Sequence, residues 1–267
     1  MVQNKALIFK KVPTGWPKPG ENLTIEDRPI DIESTEPPKN GLLTKNFYFS
    51  FDPYQRGRMR APDVKSYSPP YTLGQPITNS AVCKVLKSAN SKFSPGDIVY
   101  VNMACPIEEY SLLDEDVTKR TNIIENPHNL DLKIFVGALG LPGLTAYASF
   151  FELGHPRKGE TIFISAASGA VGQLVGQLAK KEGLKVFGSV GDDKKLAFLT
   201  EELGFDGGFN YKKEKPAEGL KRLAPEGIDI YYENVGGEQL EAAIDAMKNF
   251  GRISKLGCTI WCYCSAD

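Results

Sequence analysis

The sequence predicts an α/β protein in which an antiparallel, barrel-like β domain precedes a doubly wound, parallel β-sheet. Up to about residue 125, short β-like runs are broken by Pro and Gly clusters, which is typical of an all-β domain. After residue 159, strands alternate with longer helices, which indicates βαβ units and a parallel sheet. We therefore predict two domains, residues 1–125 and residues 126–267.

Four β-rich segments define the predicted N-terminal domain: KALIFKK, GLLTKNFYFSFDP, AVCKVLKS and DIVYVN. Turn-forming clusters such as PTGWPKPG and SPPYTLGQP separate them. Residues 131–154 form a longer apolar stretch that contains Pro142, and proline interrupts helices. We predict two buried helices there, joined by a break at Leu141 to Gly143.

The C-terminal domain is predicted to begin with the strand ETIFIS and a helix over GAVGQLVGQLAKKEG. The apolar residues of that helix recur three and four positions apart, at Val171, Leu174, Val175 and Leu178. The elements predicted after it are the strand KVFGSV, the helix DDKKLAFLTEELG, a short strand near GGFNY, the helix PAEGLKRLAP, the strand DIYYENV and the helix EQLEAAIDAMKNFG.

A fifth strand is predicted to open at RIS, residues 252–254. Its apolar content is Ile253, Leu256, Ile260 and Trp261. Because no sixth strand or covering helix follows in the sequence, we expect a doubly wound domain that lacks its C-terminal part. Such a sheet ends in an exposed apolar edge, which favours self-association, so a homodimer is among the expected assemblies.

Composition and charge indicate which kinds of molecule this protein binds. The chain is 41% hydrophobic and 24% charged, as globular proteins are, and its net charge of -1 creates no global positive field. We therefore expect a small-molecule substrate, no nucleic acid and no membrane. No apolar run approaches the roughly 18 residues of a membrane span, the start lacks a secretory signal pattern, and the five cysteines form no disulfide framework. A cytoplasmic location is the resulting prediction.

A cluster of small residues lies between the first strand and the first helix of the C-terminal domain. Its spacing is Ala167-x-Gly169-x-x-Gly172, with Gly176 four residues further on. In a dinucleotide fingerprint the first position permits a tight turn, the second admits the pyrophosphate, and the third lets helix and strand pack closely. Alanine fits the first position only if its φ is negative. The order strand, turn, helix predicts a dinucleotide-binding turn, with a bare packing turn as the alternative.

The end of the second strand indicates which dinucleotide to expect. NAD-specific proteins place an acidic residue there, which binds the ribose 2′-hydroxyl. Here Ser189 or Val190 takes that place and Gly191 follows, so the tip is small and uncharged. A 2′-phosphate fits such a tip, and we predict NADP rather than NAD.

Charged residues follow this tip. Lys194 or Lys195, one turn into the next helix, is the predicted counter-charge of the 2′-phosphate. The alternative interpretation is that Asp192 and Asp193 cap that helix and that the two lysines form a solvated face. Both interpretations can hold together.

Five motifs in combination resemble one known family: AASGAVGQLVGQ, LGLPGLTAY, FDPYQRGRM, GFNYKK and DIYYENVGGE. They are similar to the zinc-independent branch of the medium-chain dehydrogenase/reductases, in particular the leukotriene B4 dehydrogenase, prostaglandin reductase and alkenal double-bond reductase group. The resemblance covers residues 5–253. It implies a GroES-like N-terminal barrel domain, a Rossmann domain and a C-terminal segment that returns to the barrel. It also implies NADPH-dependent reduction of the activated C=C bond of α,β-unsaturated ketones or aldehydes.

The resemblance also implies roles for individual residues, and it assigns none of them a catalytic role. The turn 169–172 would hold the pyrophosphate, and Lys195 and Tyr211 would contact the 2′-phosphate end. Asn234 and Thr145 would lie beside the nicotinamide half, and Tyr54 would border the substrate pocket. The whole set implied in cofactor binding is Gly169, Ala170, Val171, Gly172, Lys195, Tyr211, Asn234 and Thr145. The alternatives are half-buried aromatic residues at Tyr54 and Tyr211 and, at Thr145, a core hydroxyl bonded to its own helix.

Metal ligation is not expected. Zinc-dependent alcohol dehydrogenases need two cysteines and a histidine around a catalytic zinc, whereas neither His128 nor His155 is spaced with a cysteine as a ligand pair. We predict that Cys83 and Cys105 are small core residues. The remaining cysteines, which lack a fourth ligand nearby, are Cys258, Cys262 and Cys264. Without a Lewis acid, hydride transfer to a conjugated alkene is easier than alcohol oxidation, because only the oxygen of the developing enolate needs stabilisation.

Two functions stay open from the sequence. The first is an NADPH-dependent enone or enal reductase that uses no metal. The second is an NADPH-binding protein with impaired catalysis, either a sensor or a truncated product. The second rests on the C-terminus, where SKLGCTIWCYCSAD stands in place of the strand and the tyrosine-bearing loop implied by the resemblance.

Overall fold

The computed structural model describes residues 1–256, which divide into two compact units. The boundary follows Gly137, whereas the sequence suggested residue 125, because a 3-10 helix, Leu132–Val136, packs against the N-terminal sheet. The predicted α/β class is confirmed. Within residues 1–256, no helix has the length and apolar character needed to cross a membrane.

The first unit is an antiparallel β domain. Its strands are β1 (Lys5–Phe9), β2 (Leu23–Asp27), β3 (Leu42–Phe49), β4 (Thr78–Ser88), β5 (Ile98–Pro106), β6 (Tyr110–Leu113) and β7 (Thr121–Ile123), and its short helices are α1 (Tyr54–Arg58) and α2 (Glu115–Thr118). Five strands pair in the order β6-β3-β4-β5-β7, and β1 pairs with β2. The backbone of Leu7 in β1 also bonds to Ile77 and Ile107, next to β4 and β5, so the two-stranded ribbon joins the sheet as a barrel-like domain requires.

The core of the first unit lies along β4 and β5. Cys83 and Cys105 are fully buried there among aliphatic residues, with their sulfur atoms 3.8 Å apart, and burial raises the pKa of the Cys83 thiol. The prediction that both cysteines are core residues is confirmed.

The second unit is a doubly wound sheet of five parallel strands. Its strands are β8 (Thr161–Ile164), β9 (Lys185–Val190), β10 (Gly207–Asn210), β11 (Ile228–Glu233) and β12 (Met247–Lys255). Its helices are α3 (Leu141–Glu152), α4 (Gly172–Lys181), α5 (Asp193–Ala197), which continues into a π-helical turn (Phe198–Glu202), α6 (Pro216–Leu223) and α7 (Gly237–Asp245). The strands pair in the order β10-β9-β8-β11-β12, so the order reverses between β8 and β11.

Helices cover both faces of this sheet. Ile162 and Tyr232 belong to a core with residues of α3 and α4, whereas Phe163 and Tyr231 belong to a second core with α6 and α7. The rings of Phe163 and Tyr231 stack with their centroids 5.3 Å apart. Because both faces are covered, β8 and β11 are buried along nearly their whole length and carry large apolar side chains on both faces.

Two predicted boundaries were wrong. The predicted break at Leu141 to Gly143 lies inside α3, which begins at Leu141; Pro142 occupies the first turn, where its missing N–H leaves no intrahelical bond unmade. The apolar residues of the 3-10 helix before it are half-buried, and none is fully buried. The fifth strand opens at Met247 rather than at RIS, because Ile228 donates its N–H to Ala246 and pairing with β11 begins there. Of the predicted apolar residues of this strand, Ile260 and Trp261 lie outside the described residues.

Candidate functional site

The carboxyl ends of β8 and β11 lie side by side where the strand order reverses. In doubly wound sheets, ligands bind in the crevice at this position. Ser165 donates its N–H to Tyr232 O at 3.2 Å, and Asn234 donates its N–H to Ser165 Oγ at 2.9 Å. The side-chain amide of Asn234 also donates to Ser165 O at 2.8 Å. Two residues that follow the strands therefore fix this edge of the sheet, and one of them, Asn234, was predicted to line the site.

The turn after β8 has the backbone that the fingerprint requires. Ala166 has a φ of +46°, whereas the φ of Ala167 is not positive. Ala167 is fully buried, and its N–H donates to Ser189 O of β9 at 3.0 Å. Alanine is therefore tolerated at the first fingerprint position, Ala167, because the residue with the left-handed backbone is Ala166, one position earlier.

A Cβ would be crowded at two glycines of this turn, severely at Gly172 and mildly at Gly169. A Cβ on Gly172 would lie 2.6 Å from Ala166 O and 2.9 Å from Ala167 Cα, so helix α4 begins in direct contact with the turn. A Cβ on Gly169 would lie 3.1 Å from Ala166 O, and Gly169 itself is exposed. The third fingerprint position therefore acts as predicted, by permitting close packing of helix and strand.

The first turn of α4 presents unused hydrogen-bond donors. The N–H groups of Ala170, Val171 and Gly172 meet no acceptor within residues 1–256, and Ala170 is exposed. Free N–H groups and the positive end of the helix dipole form an anion-binding site. The predicted set at positions 169–172 thus has the donors and the open space that a pyrophosphate needs.

At the end of β9, Ser189 and Val190 are both buried. The hydroxyl of Ser189 donates to Gln239 of α7, so neither residue takes the exposed place that NAD-specific proteins give to an acid. The next residue is Gly191, and a Cβ there would lie 2.5 Å from the hydroxyl oxygen of Tyr211. The backbone of Tyr211 bonds to Val190 O at 3.0 Å, and its side chain is 44% exposed. The structure thus places Tyr211, predicted from the resemblance, over the tip of β9.

The two aspartates after this tip are both engaged. Asp192 accepts the N–H of Lys194 at 2.8 Å and of Lys195 at 3.4 Å, which is the helix cap of the alternative interpretation. Asp193 accepts a hydrogen bond from Asn210 at 2.7 Å and forms an ion pair with Lys213. The Asn210 amide and the Lys213 ammonium together lower the pKa of Asp193.

This pairing leaves two cations beside the tip. Lys194 and Lys195 are exposed and form no ion pair within the part of the chain that the structure describes. Sequence reasoning missed Asn210 and Lys213, although both stand in the quoted motif GFNYKK. Lys213 offsets the charge of Asp193, and Asn210 gives its carboxylate a hydrogen bond.

Thr145 lies in the first half of α3 and is half-buried. Its carbonyl oxygen accepts a hydrogen bond from Ser149 Oγ at 2.5 Å, and Ser149 also contacts the hydroxyl of Tyr232 at 2.6 Å. The hydroxyl of Thr145 makes no hydrogen bond within residues 1–256. The alternative in which this hydroxyl bonds to its own helix is therefore not what the structure shows.

Tyr54 opens helix α1 in the first unit and is half-buried. Its hydroxyl donates to Asn79 Oδ1 at 2.5 Å, and the amide of Asn79 donates to Asp52 Oδ2 and Ser50 O, each at 2.7 Å. Burial is the main cause that raises the pKa of Tyr54. The hydroxyl proton of Tyr54 is thus committed to Asn79, and the Arg58 guanidinium lies near its oxygen and opposes the rise in its pKa.

Within residues 1–256, no group of three or more His, Cys, Asp or Glu side chains is arranged to hold a metal ion. His128 and His155 are both exposed. The cysteines near the C-terminus, Cys258, Cys262 and Cys264, lie outside the described residues. Independence from zinc stays a prediction.

Comparison with known proteins agrees with this architecture. Residues 5–120 match the family described as the N-terminal domain of oxidoreductase, and residues 170–261 match the family described as zinc-binding dehydrogenase. The NADP-dependent oxidoreductase RED1 of Cochliobolus heterostrophus is 60% identical over 253 residues, which cover 95% of this chain and 71% of that protein. The chain belongs to the medium-chain dehydrogenase/reductase family.

Two further members of this family are informative. The 2-alkenal reductase (NADP(+)-dependent) of Nicotiana tabacum is 45% identical over 259 residues, which cover 96% of this chain and 73% of the tobacco protein. The crystal structure of CurA from Vibrio vulnificus in complex with NADPH is 31% identical, with a TM-score of 0.80, and the match covers 93% of this chain and 70% of CurA. In both comparisons this medium-chain dehydrogenase/reductase is the shorter chain.

Proposed function

We propose that this chain binds NADPH in its second unit and transfers hydride to the C=C bond of an α,β-unsaturated ketone or aldehyde, without a metal. The observation that carries the proposal is the turn at 169–172, where unused N–H groups lie at a helix N-terminus beside the switch point of the sheet. Its relatives named NADP-dependent oxidoreductase and 2-alkenal reductase support the cofactor and the substrate class.

Different residues of the second unit bind different parts of NADPH. The N–H groups of Ala170, Val171 and Gly172 hold the pyrophosphate. Lys195 neutralises the 2′-phosphate, and Tyr211 packs beside it over Gly191. A carboxylate at the tip would repel that phosphate, but Ser189 and Val190 are buried and Asp193 is already paired with Lys213.

NADPH, when bound, supplies the hydride. Addition of hydride to the β-carbon of an enone places negative charge on the carbonyl oxygen, which needs hydrogen-bond donors, and the α-carbon then takes a proton from water. We propose that Tyr54 borders the substrate pocket. The proton of its hydroxyl is committed to Asn79, so in this arrangement Tyr54 does not supply the donor that the enolate oxygen needs.

The test is to incubate the purified chain with a panel of small enones and enals, with NADPH or NADH, while the nicotinamide absorbance band is followed. We expect consumption of NADPH in preference to NADH and a saturated carbonyl product. Conversion of the carbonyl to an allylic alcohol would contradict the proposed reaction. Binding of NADPH without consumption would favour the alternative of an NADPH-binding sensor.

A further inference from the structure

Helix α3 is fixed to strand β11 by one chain of hydrogen bonds. Ser149 Oγ donates its single proton to Thr145 O at 2.5 Å, so the hydroxyl of Tyr232, 2.6 Å from Ser149 Oγ, must be the donor of the second bond. Tyr232 is fully buried, and burial raises its pKa to about 12. The hydroxyl of Tyr232 therefore stays protonated and able to donate throughout the neutral pH range.

The contacts of α3 with the sheet show its direction. Beyond the C-terminal end of α3, the guanidinium of Arg252 donates to Gly154 O at 3.0 Å and to His155 O at 2.8 Å. Arg252 pairs with Ile230 in the sheet, whereas Ser149 meets Tyr232, two residues nearer to the carboxyl end of β11. Helix α3 thus runs antiparallel to β11, and its first half lies at the carboxyl edge of the sheet.

Thr145 lies one helical turn before Ser149, which is about 6 Å further towards that edge. Two residues of a strand span about the same distance, so Thr145 is level with Asn234. Residues four positions apart share a helix face, and Ser149 faces β11, so Thr145 faces the switch point. The same Tyr232 accepts the N–H of Ser165 through its carbonyl oxygen, which links α3, β11 and β8 at one residue.

We propose that Tyr232 and Ser149 are positioning residues that set the register of α3 on β11 and so place the Thr145 hydroxyl beside Asn234, at the nicotinamide half of the dinucleotide. This inference rests on the proposed NADPH site. It predicts that the bridge controls the orientation of the nicotinamide, while the pyrophosphate and the 2′-phosphate are held by the turn at 169–172 and the tip of β9.

The matched variants are Tyr232→Phe and Tyr231→Phe. Tyr231 is the adjacent buried tyrosine, but it faces the opposite core and stacks on Phe163. For Tyr232→Phe we expect the Kd of NADPH, measured by calorimetry, to change less than about threefold, because the phosphate contacts remain. The fluorescence emission of bound NADPH should move towards that of the free cofactor, and kcat should fall about tenfold with little change in KM. Tyr231→Phe should leave the emission and kcat as in the wild type.

Variants of Ser149 test whether the hydrogen bond between Ser149 and Tyr232 orients the nicotinamide. Ser149→Ala should reproduce the change in emission, Ser149→Thr, which keeps a hydroxyl, should restore much of it, and the double variant should be no worse than either single one. If Tyr232→Phe lowers the melting temperature and weakens NADPH binding without changing the emission, the bridge is only structural and the inference is wrong. Failure of the proposed function is distinguishable, because the wild-type chain would then bind no NADPH in the calorimeter.

Discussion

Replacement of Gly172 by alanine tests the geometry of the turn directly. The added Cβ would lie 2.6 Å from Ala166 O, whereas ordinary van der Waals contact begins at 3.4 Å, so these atoms must separate by about 0.8 Å. The second obstacle, Ala167 Cα at 2.9 Å, also belongs to the backbone and cannot rotate away. Helix α4 must therefore move away from the turn.

The size of the effect follows from these contacts. Overpacking of a close contact costs about 1–3 kcal/mol of stability, so the melting temperature of Gly172→Ala should fall by several degrees. The displaced N–H groups are those expected to bind the pyrophosphate. Loss of one hydrogen bond to a charged group, about 1.5–3 kcal/mol, weakens binding about 10- to 100-fold. Because NADPH and NADH share the pyrophosphate, both should lose affinity equally.

The assay is calorimetric titration of the wild type and Gly172→Ala with each cofactor, together with thermal unfolding. Gly57→Ala is the control, since a Cβ on Gly57 meets no atom within 4 Å and its φ is not in the left-handed region. The control should melt and bind like the wild type. A Gly172→Ala protein that keeps its melting temperature and binds NADPH within twofold of the wild type would refute the reasoning.

The remaining predictions concern charge, metal, pH and assembly. Lys195→Ala should weaken NADPH binding by about 10- to 100-fold and NADH binding hardly at all; equal losses in calorimetry would argue against a 2′-phosphate contact. Chelators should change neither activity nor melting temperature, and one tightly held zinc per chain in elemental analysis would overturn this. The pKa of Tyr232 is raised from 10.0 to about 12 in the folded protein, so between these two pH values the unfolded chain loses a proton that the folded chain keeps. The free energy of unfolding should therefore fall as the pH rises through this range, and it should fall less steeply in Tyr232→Phe. Strand β12 is one of the two edges of the described sheet, with Phe250 99% and Ile253 41% exposed, so sedimentation velocity should show concentration-dependent association that Phe250→Lys reduces; a monomer at all concentrations would contradict it.

The features that the sequence predicts well are those set by local chemistry. The strand KVFGSV coincides with β9, because an apolar run with β-branched and aromatic residues, bounded by glycine, determines a buried strand within a few residues. The close start of α4 was likewise predictable, since a residue without a Cβ is needed at Gly172, where the helix begins against the turn after β8. The parallel orientation of the strands followed from the alternation of strands and helices.

The features that were missed depend on residues far apart in the chain. Pairing with β11 converts the segment after Asp245 into a strand, which its own helix-like pattern does not reveal. The bond between Ser149 and Tyr232 joins residues 83 positions apart. The ion pair between Asp193 and Lys213 forms only because β9 and β10 are neighbours in the sheet. No single-sequence pattern encodes these pairings.

The central claim is hydride transfer from NADPH to the β-carbon of an enone, and the most direct measurement is the fate of deuterium. The chain is incubated with NADPH that carries deuterium at both positions of C4 of the nicotinamide and with a simple enone, and the product is examined by NMR. The account predicts a saturated ketone with one deuterium on the carbon β to the carbonyl and a proton from water on the α-carbon. Deuterium on the carbonyl carbon, or a saturated product without deuterium, would contradict it.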